Sequence, residues 1–223
     1  MPLALITGAS RGLGRALAHA LADLGWDLIL DARNADELRG AAPSRAVTVA
    51  GDVTDPGHRQ QLLEAAREVG RLDLLVNNAS HLGPSPQPHL ADYPDTELRR
   101  VYDVNVFAPL ALTQLLLPLM FGGTVVNVSS DAGVEAYEGW GGYGSSKAAL
   151  DQLTAILAVE HPGLRVHAFD PGDMRTQMHQ EAFPGEDISD RPLPETVVPA
   201  MLALLTLPSG RYRAGDLLPA VAR

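Results

Sequence analysis

Tyr143 and Lys147 stand four residues apart in Tyr143-Gly144-Ser145-Ser146-Lys147, and Lys147 is the single lysine of a chain with 17 lysines and arginines in all. On a helix, residues four apart share a face, which sets the ammonium beside the phenol. A compact ammonium with several donors does there what a guanidinium fork cannot. A positive charge favours phenolate and is expected to pull the tyrosine pKa down from about 10 toward the working pH. Such a phenol can give and take a proton, which is the chemistry of carbonyl reduction. Ser130 lies thirteen residues before Tyr143, at the end of the apolar run Gly123-Thr124-Val125-Val126-Asn127-Val128-Ser129-Ser130. That run reads as a buried parallel strand, and the end of a strand can meet the helix that follows it.

A second group opens the chain. Leu3-Ala4-Leu5-Ile6 reads as a short apolar strand, followed by Thr7-Gly8-Ala9-Ser10-Arg11-Gly12-Leu13-Gly14 and an amphipathic run from Arg15 to Leu24. Glycines between a strand and a helix allow a tight bend and a close approach of the backbone to a pyrophosphate. The helix start adds unpaired N–H donors and the positive end of a dipole. In this strand-turn-helix context the pattern points to a dinucleotide.

Asn105 falls on the apolar stripe Leu98, Val101, Ala108, Leu112 of a long helix, where a polar side chain costs free energy unless it is hydrogen-bonded. Pro109, four residues on, has no N–H to offer the carbonyl of Asn105, so a kink and a free carbonyl are expected.

These groups need a frame. Apolar strand candidates lie near 3–7, 27–31, 46–50, 72–76, 123–129, 164–169 and 215–220, alternating with helical stretches near 12–24, 34–41, 56–69, 96–121, 142–160 and 195–207. Alternating strands and helices imply an α/β fold, a parallel sheet covered on both faces, with ligands at the carboxyl ends of its strands. Every group above lies at such an end. Two long stretches break the pattern, Ser80 to Asp95 and Gly172 to Pro194, and long loops of this kind often serve as lids or binding loops.

Taken in order, Thr-Gly-x-x-x-Gly-x-Gly at 7–14, Asn77-Asn78-Ala79, Asn105, Ser130, Tyr143, Lys147 and Pro171-Gly172 resemble the short-chain dehydrogenase/reductase family, densely over residues 1 to about 176. The resemblance implies one doubly wound, seven-stranded Rossmann domain over 1–223, with a cofactor half at about 1–100 and a catalytic and substrate half at about 101–223. It implies that Ser130 hydrogen-bonds a substrate carbonyl, Tyr143 donates the proton, Lys147 lowers the Tyr143 pKa, and the Asn105 carbonyl anchors a water relay. It also implies a cofactor held by Gly8, Ser10, Arg11, Gly12, Leu13 and Gly14 in the turn and by Arg33 and Asn34 after the second strand. Asp52 and Val53 would meet the adenine, and Asn78, Ala79 and Ser80 the neighbouring ribose. Tyr143, Lys147, Pro171, Gly172 and Thr176 would meet the nicotinamide end. Ser80 departs from the family, which usually has glycine there.

Cofactor choice receives opposed signals. Asp31 ends the second strand, where an acid usually binds the ribose hydroxyls and selects NAD. In the family's register, however, the selecting acid stands one residue later, at Ala32, and Arg33 follows where NADP-dependent members carry a base. Arg11 is a second cation aimed at the same pocket, and two guanidiniums suit a 2′-phosphate. NADP(H) is therefore expected over NAD(H), with Asp31 as a structural partner for one of the arginines.

The remaining features narrow the class. With 223 residues, 46% hydrophobic, the chain can bury a core in one domain. A net charge of −10 argues against nucleic acid as a partner. No apolar run long enough to span a bilayer and no signal peptide are read, so a cytoplasmic place is expected. The seven histidines show no ligand spacing, so no metal is expected. Ser129-Ser130 lacks the Gly-x-Ser-x-Gly elbow of a hydrolase. The end of the chain lacks the family's glycine pair, which favours a homodimer, with a tetramer as the alternative, through the helices at 96–121 and 142–160. The competing function is a non-catalytic dinucleotide-binding regulator, since fold does not fix function.

Overall fold

The computed structural model describes residues 1–218. Seven parallel strands form one sheet in the order β3-β2-β1-β4-β5-β6-β7. They are β1 (Leu3–Ile6), β2 (Asp27–Ala32), β3 (Val47–Ala50), β4 (Leu74–Asn77), β5 (Thr124–Val128), β6 (Arg165–Asp170) and β7 (Gly210–Arg213). The order reverses between β1 and β4, and that switch point opens a crevice at the strands' carboxyl ends. β1, β4 and β5 are buried along their whole length, as their largely apolar runs require.

Helices α1 (Gly12–Asp23), α2 (Ala35–Ala41), α3 (Pro56–Val69), α4 (Asp95–Tyr102), α5 (Ala108–Leu116), α6 (Gly141–Glu160), α7 (Gln177–Ala182), α8 (Val198–Ala203) and α9 (Ala214–Leu217) connect them. Each sheet face carries its own core. One packs Leu13, Leu17 and Leu21 of α1 and Met201 of α8 against Ile6, Leu30 and Phe169. The other packs Leu62 of α3 and Leu112 and Leu116 of α5 against Leu5, Ile29 and Val125. Local signals place the ends: Asp55 caps α3 ahead of Pro56, and Gly70 closes it with φ 86°.

Two expectations need revision. Among the described residues the last strand is Gly210–Arg213, and 215–218 is not strand. β7 pairs only with β6, so it has one neighbour and alternates half-buried with exposed positions, and its arginines hide that alternation in the sequence. Residues 214–217 form the short helix α9, and positions 219 and 220 lie outside the described residues. The expected absence of a membrane-length apolar helix also fails by composition alone, because the continuous stretch Asp95–Leu119 is long and apolar enough. Its apolar side chains Leu112 and Leu116 are spent on the core beneath the sheet. The helix at 96–121 is interrupted by a π-helical turn at Asp103–Phe107, which is the irregularity expected from Pro109.

Candidate active site

The crevice is a cleft of about 1250 Å³ running from the glycine turn, past Arg33 and Asp52, to Ser130, Tyr143 and α7. At its floor, the turn after β1 is welded to the end of β4. Asn78 Nδ2 donates to the carbonyls of Thr7 and Gly8 at 2.9 and 3.0 Å, and the amides of Asn78 and Ala79 both donate to Thr7 Oγ1 at 3.0 Å. Gly8 has φ +65°, and a Cβ there would stand 2.9 Å from Ala79 Cα, so glycine is required twice over. A Cβ on Gly12, whose φ is +56°, would meet nothing nearer than the Thr176 methyl at 3.5 Å. The start of α1, with its unpaired N–H groups, thus borders the cleft without a side chain from Gly12 in the way, and the chain fits a dinucleotide.

Gly8, Ser10, Arg11, Gly12, Leu13, Arg33, Asn34, Asp52, Val53, Asn78, Ala79, Ser80, Ser130, Tyr143, Lys147, Pro171, Gly172 and Thr176 all line this cleft. Gly14 and Asn105 stand behind its wall. Gly14 lets α1 approach the turn, since a Cβ there would lie 2.6 Å from the Gly8 carbonyl oxygen. Several lining side chains are already occupied. Asn34 caps α2 by accepting from the amides of Asp36 and Glu37, Asn78 serves the clamp above, and Thr176 caps α7. Arg11 reaches across the cleft to Gln177 Oε1 on α7 instead of toward Arg33. Arg33 is exposed and forms no ion pair among the described residues.

The reacting end is built on close packing. A Cβ on Gly144 would lie 2.6 Å from the Ala132 carbonyl oxygen, so the glycine after Tyr143 lets α6 press against the turn that holds Ser130. Ser130 Oγ donates to Asp131 Oδ1 at 2.9 Å and accepts from the Ala132 amide at 3.2 Å. Lys147 Nζ donates to the Val128 carbonyl at 2.7 Å and lies 5.3 Å from the centre of the Tyr143 ring. Trp140 and Phe183, with ring centres 5.9 Å apart, form an aromatic wall, and Trp140 meets the Tyr143 ring edge-on at 5.8 Å.

Electrostatics correct one expectation. Burial lifts the Tyr143 phenol to about 12; a hydrogen bond with Ser80 works against this, and the charges of Asp170 and Asp131 add to it. Burial likewise draws Lys147 down to about 8. In the chain alone, burial sets the direction of the phenol's shift, and Lys147 is not among the groups that lower it.

Asn105 is buried and its side chain is fully engaged. Its amide donates to the His81 carbonyl at 2.9 Å and to Ser146 Oγ at 3.0 Å, while its Oδ1 accepts from the His81 amide at 2.8 Å and from Ser80 Oγ at 3.2 Å. It thus ties the Ser80 segment to α6. Ser80, the departure from the family pattern, bridges Asn105 and the phenol.

Other residues of the site were not singled out from the sequence. Arg211 on β7 donates to the Ser130 carbonyl at 2.9 Å and pairs with Asp151, and Arg213 pairs with Asp170 at 3.1 Å. Asp170 in turn accepts the Gly172 amide at 2.9 Å, so the last strand steadies both sides of the reacting end. Asp31 is not held by an arginine: His58 Nε2 sits 2.6 Å from its Oδ1, with both side chains buried. Arg100 of α4 also faces the cleft. No signal in the sequence joins Asp31 to His58 or β7 to Ser130, because each contact is made across the fold.

Comparisons with known proteins agree with this geometry. The family model described as short chain dehydrogenase matches residues 2–187. Rat sepiapterin reductase is 37% identical over 199 residues, 80% of this chain and 76% of that protein. A benzil reductase ((S)-benzoin forming) of Saccharomyces cerevisiae is 35% identical over 192 residues, 79% of this chain and 73% of that one. A solved Shigella flexneri short chain dehydrogenase complexed with NADP superposes with a TM-score of 0.89 at 30% identity, covering 96% of this chain and 97% of that chain. The chain belongs to the short-chain dehydrogenase/reductase family and is an oxidoreductase acting on the alcohol–carbonyl pair with a nicotinamide cofactor.

Proposed function

We propose that this protein is an NADP(H)-dependent carbonyl reductase, interconverting a ketone or aldehyde and its alcohol with Tyr143 as proton donor and acceptor. The observation that carries the reading is the convergence of Ser130, Tyr143 and Lys147 on the same cleft that begins at the glycine turn. A bound nicotinamide would supply hydride chemistry, while the chain supplies position and protons. Ser130 Oγ orients the carbonyl oxygen. Tyr143, kept protonated by burial, delivers its proton to that oxygen, which suits the reductive direction. Lys147, poised at about 8, then restores the proton, and the Asn105 carbonyl at the π turn holds the water that links Lys147 to solvent.

The exposed Arg33 suits a 2′-phosphate through charge-assisted hydrogen bonds, and the NADP in the Shigella flexneri relative supports this choice. The aromatic wall of Trp140 and Phe183, with Leu82 and Ala182 beside it, favours an apolar carbonyl compound. Two copies are proposed to pair through α4, the π turn, α5 and α6, where Phe107 of the turn and Val159 of α6 stand 57% and 81% exposed.

The test is a panel of aldehydes, diketones, quinones and acyl ketones, with consumption of NADPH as readout. Turnover of at least one class, lost in Tyr143→Phe, is expected. NADPH binding without turnover of any class would favour the regulator.

A further inference from the structure

Asp31 presents a difficulty for a phosphate at the adenosine end of the cleft. The residue is 1% exposed, yet it lines the cleft beside Ala32 and Arg33. An unpaired carboxylate there would repel a 2′-phosphate and accept ribose hydroxyls, favouring NAD(H). The structure shows what offsets it. His58, on the inner face of α3, sets Nε2 2.6 Å from Asp31 Oδ1, and its side chain is 3% exposed. The fold makes room for this ring in one place. A Cβ on Gly51, in the loop after β3, would stand 2.2 Å from His58 Nδ1, so only glycine lets the imidazole lie beneath that loop. Nδ1 makes no well-formed hydrogen bond among the described residues, only a weaker approach to Gln61, so it is chiefly Asp31 that anchors the ring.

We propose that His58 is the counter-ion of Asp31 and a determinant of cofactor choice: the buried pair shares one proton, stays electrically neutral, and so lets the cleft accept a 2′-phosphorylated dinucleotide. The inference rests on the NADP(H) reading above and names the device that permits it.

Net charge is what matters, because one shared proton leaves the pair neutral whichever atom carries it, and losing it leaves −1. The surroundings favour keeping it. The carboxyl of Asp31 is raised by burial, and the imidazole of His58 is raised by the hydrogen bond to Asp31. The Gly8 amide at the end of β1 stabilises the carboxylate, whereas the charge of Asp52 after β3 opposes it. On α3, Gln61 and the capping Asp55 both favour the charged imidazole. Arg33 acts on Asp52. As pH rises through the raised His58 value the pair becomes anionic, and affinity for a 2′-phosphate is then lost.

The test measures dissociation constants of NADPH and NADH by fluorescence in the wild type, His58→Gln, Asp31→Asn and the double variant. Binding is read between about pH 7 and 9.5, above the 2′-phosphate's own second pKa near 6. Lys147 titrates in this range but meets both cofactors alike, so the ratio of the two constants is the readout. His58→Gln should weaken NADPH about tenfold, equivalent to about 1.4 kcal/mol, with NADH changed less than about twofold. Asp31→Asn should bind NADPH at least as well as wild type, lose the pH dependence of the ratio, and rescue His58→Gln. Equal weakening of both cofactors in His58→Gln, or no rescue by Asp31→Asn, overturns the inference while leaving the NADP(H) reading intact. A wild type that prefers NADH overturns both. If His58→Gln fails to fold, Asp31→Asn decides alone, since a pH-dependent ratio persisting there refutes the role of the pair.

Discussion

Lys147→Met should make the protein more stable while removing its activity. The lysine is 2% exposed, and burial draws its pKa from 10.5 to about 8. The unfolded chain therefore binds this proton more tightly than the folded one, and below about pH 8 the fold carries the whole penalty. At 1.36 kcal/mol per pKa unit that penalty is about 3 kcal/mol. Methionine fills similar space without the charge, but the 2.7 Å bond to the Val128 carbonyl is lost, a cost of about 1 kcal/mol. A net gain of about 2 kcal/mol at pH 7 remains, or roughly 4 to 8 °C in Tm for a chain of this size. The penalty fades between about pH 8 and 10.5, so the advantage of the variant should shrink to near zero by about pH 10. Urea unfolding of both proteins at pH 7 and pH 10, compared at equal m values, reads this directly. A methionine variant less stable at pH 7, or a difference that does not change with pH, would refute the desolvation argument.

Tyr143→Phe should lower turnover by about 10² to 10⁴ with NADPH binding retained, and wild-type reduction should decline as pH rises through about 8, where Lys147 loses its proton. Steady-state rates across pH, with a binding titration beside them, check both. Arg33→Ala should raise the Michaelis constant for NADPH about tenfold or more and leave NADH nearly unaffected, since charged hydrogen bonds contribute about 1.5 to 3 kcal/mol; equal effects on the two would remove Arg33 from phosphate recognition. In Gly144→Ala the new Cβ, 2.6 Å from the Ala132 oxygen, must push α6 away from the Ser130 turn, lowering both Tm and kcat. A variant with wild-type kcat would show that this close packing does not set the geometry of the reacting end.

The buried strands and the glycine turn were legible because each carries its own local reason: a largely apolar run, or a bend that only glycine tolerates. The interruption near Asn105 was legible for the same cause, since Pro109 removes one donor from a helix whatever surrounds it. The rest of the site depends on contacts between distant segments. β7 was misplaced because Arg211 and Arg213 look like solvent-facing residues until Ser130, Asp151 and Asp170 are brought beside them. Arg11 lines the cleft as its place in the glycine turn implies, but its contact with Gln177 on α7, across the cleft, carries no local signal. Tyr143 and Lys147 were correctly set on one helix face, yet the sign of the phenol's shift was missed, because spacing conveys proximity and not burial.

The central claim is that hydride passes from NADPH to a carbonyl carbon in this cleft while Tyr143 supplies the proton. NADPH carrying deuterium on one face of nicotinamide C4, offered with a carbonyl compound that the panel shows to be reduced, tests it most directly. The account predicts one deuterium on the carbinol carbon, from one face of the cofactor only, and labelled product from Tyr143→Phe formed about 10² to 10⁴ times more slowly. Unlabelled alcohol from both labelled cofactors, or equal labelling from the two, would contradict it.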